Sequence, residues 1–179
     1  MTSSALDELR DSLESARFPK LTKPHFFVAY SHRADSKVRV VIQQVLHQYG
    51  KQVEFTDWAK VHEPGNINTH IAREVARSRF GICYLSEPAE TGGGQHAFVD
   101  NPNVVFEAGM LHARTSEIDG NEGEPCGWIP VREAGSPPAP FDFASERILH
   151  VPRYEDGTLD ADELRQQLVD RIEGLLHQA

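Results

Sequence analysis

Short apolar runs alternate with helical periods along most of this chain, and that alternation restricts it to one kind of architecture. His25-Phe26-Phe27-Val28-Ala29-Tyr30 is apolar at nearly every position, the pattern of a strand covered on both faces. Polar residues 31 to 36 follow, and then Val38, Val41, Ile42, Val45, Leu46 and Tyr49 fall on one helical face that closes at Gly50. Residues 51 to 58 form a second strand, and Ile71, Val75 and Ala76 mark a helix from Ile67 to Ser78. Phe80-Gly81-Ile82-Cys83-Tyr84-Leu85-Ser86 is a third buried strand, Trp128-Ile129-Pro130-Val131 a fourth and Ile148-Leu149-His150-Val151 a fifth. Asp160 caps a last helix striped by Leu164, Leu168, Ile172, Leu175 and Leu176. The order predicts an α/β fold: an open parallel sheet of about five strands with helices on both faces, whose ligands bind beyond the carboxyl ends of the strands. Those ends are Tyr30-Ser31, Asp57-Trp58 and Leu85-Ser86.

The third helix carries the most informative side chain. Asn101 suits an N-cap and Pro102 the first helical position, so the phase of the helix is set. Glu107 then has Asn103, Val104, Met110 and Leu111 as its neighbours at three and four residues, and none is cationic. Such a carboxylate is pushed into a partly desolvated cleft, rescued by a distant Arg, or snorkels to solvent or a neighbouring loop. The first case is how active sites tune acids.

Composition removes several other classes. The 179 residues and 39% hydrophobic content suit one domain, expected over residues 21–179, with residues 4 to 17 as an amphipathic helix inside an N-terminal extension of residues 1–20. No run approaches the ~18 apolar residues of a membrane span, and the N-terminus lacks a secretory pattern, so the expectation is a cytoplasmic protein that does not enter a membrane. The net charge of -9 is uneven: residues 1–99 sum to +1 and residues 100–179 to -10. That distribution argues against a general nucleic-acid binder, which needs a concentrated basic surface. Cys83 and Cys126 are too far apart for a metal knuckle and are expected to be free thiols, and the nine histidines form no metal-ligand motif, so no metal is expected. Gly92-Gly93-Gly94 lacks the Lys-Ser or Lys-Thr of a phosphate loop and reads as flexibility within a long loop, residues 87 to 100, of the kind that serves as a lid. No Gly-x-Ser-x-Gly elbow is present.

Phe26-Phe27-Val28-Ala29-Tyr30-Ser31-His32-Arg33-Ala34-Asp35 resembles the opening strand and loop of TIR domains, and Asp57-Trp58 with Pro64-Gly65 resembles their second strand and following loop. The Asn-x-Val-x-Phe-Glu-x-Gly pattern at 103 to 109 resembles TIR-like proteins of bacterial antiphage systems, including effectors controlled by cyclic nucleotides. The likeness spans roughly residues 25 to 155 and implies a flavodoxin-like arrangement of the sheet. It further implies an NAD+ glycohydrolase with NAD+ as substrate and no cofactor, in which Glu107 matches the essential glutamate. Breaking the nicotinamide–ribose bond creates an oxocarbenium-like centre that a carboxylate stabilises by charge, and the cationic nicotinamide leaves without a general acid.

The strand ends offer further candidate residues for the same cleft. Trp58 either stacks on a base or nicotinamide ring or packs on the sheet rim; Tyr30 and Ser31 contact ribose or phosphate, or Ser31 is a helix cap. Asp57 holds a hydroxyl or closes a turn, and Ser86 lines the cleft or does ordinary loop chemistry. Self-association through TIR–TIR contacts, with Pro64-Gly65 shaping a contact loop, would complete the site, and a cyclic-nucleotide-sensing domain or subunit would lie on another chain or a removed portion. Two alternatives stay open: a nucleoside deoxyribosyltransferase-like N-glycosidic enzyme, separated by its product, and a non-catalytic TIR self-association module, separated by NAD+ turnover.

Overall fold

A computed structural model of the chain describes residues 23–57, 67–90, 97–118, 126–139 and 147–177. The expected helix at residues 4 to 17, Trp58, Pro64-Gly65 and Gly92-Gly93-Gly94 lie outside the described residues.

The first apolar run forms β1 (His25–Tyr30), and Asp35 then caps α1 (Ser36–Gln48) by accepting the Lys37 amide at 2.8 Å. Strand β2 (Glu54–Asp57) starts later than the sequence pattern suggests, because the amides of Gln52 and Val53 both turn back to the Tyr49 carbonyl and finish the helix end. Helix α2 (Ile67–Arg77) leads into β3 (Phe80–Tyr84), and α3 (Pro102–Ile118), β6 (Gly127–Glu133), β7 (Leu149–Val151) and α4 (Ala161–His177) follow further along. Between β3 and α3, where the sequence suggests a loop over residues 87 to 100, β4 (Ser86–Pro88) and β5 (Phe98–Asp100) pair as an antiparallel ribbon.

The main sheet has the order β2-β1-β3-β6-β7, and every pairing in it is parallel. Its faces divide as strand alternation requires. Phe26, Val28, Ile82, Tyr84, Ile129 and Val131 point to the side covered by α1 and α4 and pack on Val38, Ile42, Leu164 and Leu168. Phe27, Ala29, Cys83 and Trp128 point to the other side, against Ile71 and Val75 of α2 and Val104, Ala108 and Leu111 of α3. The open α/β sheet with helices on both faces is therefore present, and the continuous apolar runs reflect strands buried twice over.

Pro130 stands inside β6, where a strand normally needs its amide. The neighbouring Val131 carbonyl accepts from Leu85 on the β3 side, so the backbone of Pro130 faces the β7 side, and β7 pairs with β6 only from Val131 onward. The missing donor falls where no described strand needs it.

Candidate active site

Helix α3 begins where its cap is satisfied. The Asn101 side-chain oxygen accepts from the amides of Asn103 at 3.0 Å and Val104 at 3.2 Å, and Pro102 has no amide to satisfy. Val104, Ala108 and Leu111 then turn onto the sheet. The helix comes close at Gly81, where a Cβ would stand 2.4 Å from Leu111 Cδ1. Glu107 lies between these positions on the same helical face and is only 5% exposed.

Among the described residues no hydrogen bond or ion pair reaches the Glu107 carboxyl, and burial pushes its pKa up to about 7. Close by on β3 is the Cys83 thiol, fully buried and held well above its ordinary range by burial and then by the charge of Glu107. At neutral pH the carboxyl is thus divided between acid and carboxylate, in an apolar setting where a nearby cation would draw it to the charged form. Cys83 and Cys126 are free thiols.

The other residues offered by the sequence separate into groups. Tyr30 donates its hydroxyl to Asp57 Oδ2 at 2.6 Å, and Gln43 of α1 donates to the same oxygen at 2.7 Å. Burial and that bond push the Tyr30 phenol up to about 12, so it remains a donor. The pair belongs to the α1 side, where Arg39 also stacks over the Tyr30 ring at 5.2 Å, while Glu107 is on the α3 side. Ser31 is buried beyond β1 and donates to Glu87 Oε2. Ser86, fully buried, lies 3.0 Å from the Ser136 hydroxyl and accepts the Glu133 amide at 3.0 Å. None of these bonds touches Glu107, and Trp58 is outside the described residues.

Sequence reasoning passed over three polar assemblies at this end of the sheet. Glu87 gathers Ser31, Asn101 and Arg33. Arg132 grips Asp100 through Nε at 2.8 Å and Nη2 at 2.7 Å. Arg153 reaches both oxygens of Glu133, at 2.8 and 2.6 Å, and Asp35 at 2.8 Å, while Tyr84 donates to Glu133 at 2.7 Å. Glu87 carried a usable signal, being a second carboxylate just past a buried strand. Among the described residues no cluster of His, Cys, Asp or Glu has the makings of a metal site. Nor is any described helix long and apolar enough to cross a membrane.

No curated protein matches the chain. Residues 25–118, from the first residue of β1 to the last of α3, match the family described as CAP12/Pycsar effector protein, TIR domain. The match covers more than half of the 179 residues and includes the β1 end, the β4–β5 ribbon and the whole helix that bears Glu107. On that match, and on a parallel sheet whose helices lie as such a domain requires, the chain belongs to the TIR-domain family of CAP12/Pycsar effector proteins.

Proposed function

We propose that this chain is an NAD+ glycohydrolase acting as an effector of antiphage defence, with Glu107 as its catalytic carboxylate. The observation that carries the reading is the Glu107 carboxyl, nearly buried on α3 with burial alone acting on its ionisation. A group in that state is destabilised as an anion until a positive centre comes beside it.

The chemistry follows from that property. The bond between the ribose C1′ and the nicotinamide nitrogen breaks, and its electron pair stays on nitrogen, so the cationic ring leaves neutral. Positive charge moves to C1′ and the ring oxygen, where the Glu107 carboxylate opposes it. Water then adds to C1′ and loses a proton, giving ADP-ribose; a hydroxyl of the same molecule adding instead gives a cyclic product. NAD+ is substrate here, and no cofactor is required.

The same reading makes the protein cytoplasmic and its activity dependent on self-association, with a cyclic-nucleotide-sensing domain or subunit as the trigger. Phe106, 62% exposed on the outer side of α3 beside Glu107, is suited to contact a second copy. The test is mass spectrometry of NAD+ incubated with concentrated protein, with and without cyclic nucleotides. Nicotinamide and ADP-ribose are the expected products; a base-exchange product points to a transferase instead, and assembled Glu107→Ala protein that releases nicotinamide at the wild-type rate removes Glu107 from its role.

A further inference from the structure

Glu87 stands where three parts of the chain meet, and it is only 7% exposed. Ser31, beyond β1, donates its hydroxyl to Oε2, and Asn101 donates Nδ2 to the same oxygen at 2.8 Å. Arg33 Nη1 lies 3.4 Å from Oε1, while its Nη2 donates to the Pro88 carbonyl at 3.0 Å. Burial acts to raise the Glu87 pKa, but the two hydrogen bonds and Arg33 outweigh it and hold the group below the usual range, so it is a carboxylate at neutral pH.

Asn101 has both ends of its amide committed. The oxygen caps α3 and the nitrogen holds Glu87, which fixes the orientation of the side chain and leaves no alternative flip. The Asn101 backbone amide is held as well, donating to the Leu85 carbonyl at 2.8 Å. Glu107 comes six residues later, about 9 Å along the axis at ~1.5 Å per residue. Apolar packing by Val104, Ala108 and Leu111 keeps the helix on the sheet without specifying its rotation closely, because such contacts are not directional. Hydrogen bonds to a charged acceptor are directional.

We propose that Glu87 is a positioning residue: through the Asn101 amide it sets where α3 begins and how it is rotated, and so where the Glu107 carboxyl stands over β3. Ser31 serves the same end, its hydroxyl being given to Glu87. The inference rests on the reading of Glu107 as the reacting carboxylate.

Asn101→Asp separates this role from general stability. Asp caps a helix about as well as Asn, so the cap survives, but a second carboxylate now faces Glu87. Glu87→Gln combined with Asn101→Asp restores one amide against one carboxylate with the roles exchanged. Two quantities are measured: nicotinamide release from NAD+ by concentrated protein, and the pH midpoint of Glu107 from carbon NMR of labelled glutamate carboxyls, assigned by the signal lost in Glu107→Gln. Asn101→Asp is expected to lower kcat about tenfold with a smaller change in KM and to shift the Glu107 midpoint by about half a unit or more, and the double variant to recover most of both. A folded Asn101→Asp with wild-type kcat and midpoint, or a double variant no better than the single, overturns the proposal. If Asn101→Asp does not fold, Glu87→Gln alone serves, and an unmoved midpoint in it overturns the proposal too. Wild-type protein that releases no nicotinamide, with a midpoint that shifts in Asn101→Asp and returns in the double variant, removes the hydrolase reading while the positioning of Glu107 stands.

Discussion

Burial, and after it the charge of Glu107 on α3, holds the Cys83 thiol of β3 well above its ordinary range. The two groups occupy one apolar interior on the α3 side of the sheet, so the anionic form of Glu107 has no thiolate and no described cation beside it. Its ionisation is set by how dry that space is, and two expectations follow from this alone or from it together with the proposed reaction.

The first concerns rate against pH. If the carboxylate is the working form, kcat/KM rises with pH and has its acid-side midpoint at about 7, the value of the free protein. The bound nicotinamide ring is cationic and favours the carboxylate, so the midpoint of kcat lies lower. Initial rates of nicotinamide release from pH 5 to 9 measure both; equal midpoints near 4.5 would mean that Glu107 is not the group observed.

The second concerns stability. The Glu107 pKa is raised in the fold from an ordinary 4.5 to about 7, so its contribution is fully present below about 4.5 and is lost as pH rises through about 7. The charged form then costs on the order of 3 kcal/mol. Glu107→Gln is therefore expected to unfold at higher temperature than the wild type at pH 8 and at nearly the same temperature at pH 4. Thermal melts at the two pH values decide it.

The third concerns assembly. Specific activity is expected to climb with protein concentration, and Phe106→Asp, which alters an exposed position, is expected to flatten that climb while leaving the melting temperature within a few degrees. Activity and sedimentation measured on the same samples make the comparison; a constant specific activity from monomer to oligomer would sink the assembly requirement.

A fourth expectation belongs to the opposite side of the sheet. Glu133 is 2% exposed and depends on Arg153 for its charge partner. Arg153→Ala strands a buried carboxylate and is expected to destabilise the fold by roughly 3–5 kcal/mol, whereas Arg153→Met with Glu133→Leu is expected to cost less than the single change. Chemical denaturation of the three proteins provides the measurement.

The sheet was legible because strands buried on both faces show apolar residues without interruption, and residues 25–30 and 80–84 do so. The β4–β5 ribbon was not, since Ser86-Glu87-Pro88 and Phe98-Val99-Asp100 are three residues each and the first is polar with a proline. Glu107 could be placed on its helix because Asn101 and Pro102 fix the phase. The pairing of Tyr30 with Asp57 was out of reach: alternation puts Tyr30 on the same side as Phe26, but only the register and the covering helix reveal that this side belongs to α1 and Gln43. Arg153 meets Asp35 across 118 positions of sequence, and no local pattern encodes such a meeting.

Pro130 has a bearing on how the sheet can be extended. A sheet edge with a full row of amides templates the addition of a foreign strand, and chains that self-associate are exposed to that hazard. On the β7 side of β6 before Val131, where no described strand pairs, Pro130 interrupts the row of amides, so a strand added there would find a rung missing. Addition of a foreign strand is thereby disfavoured along this part of β6.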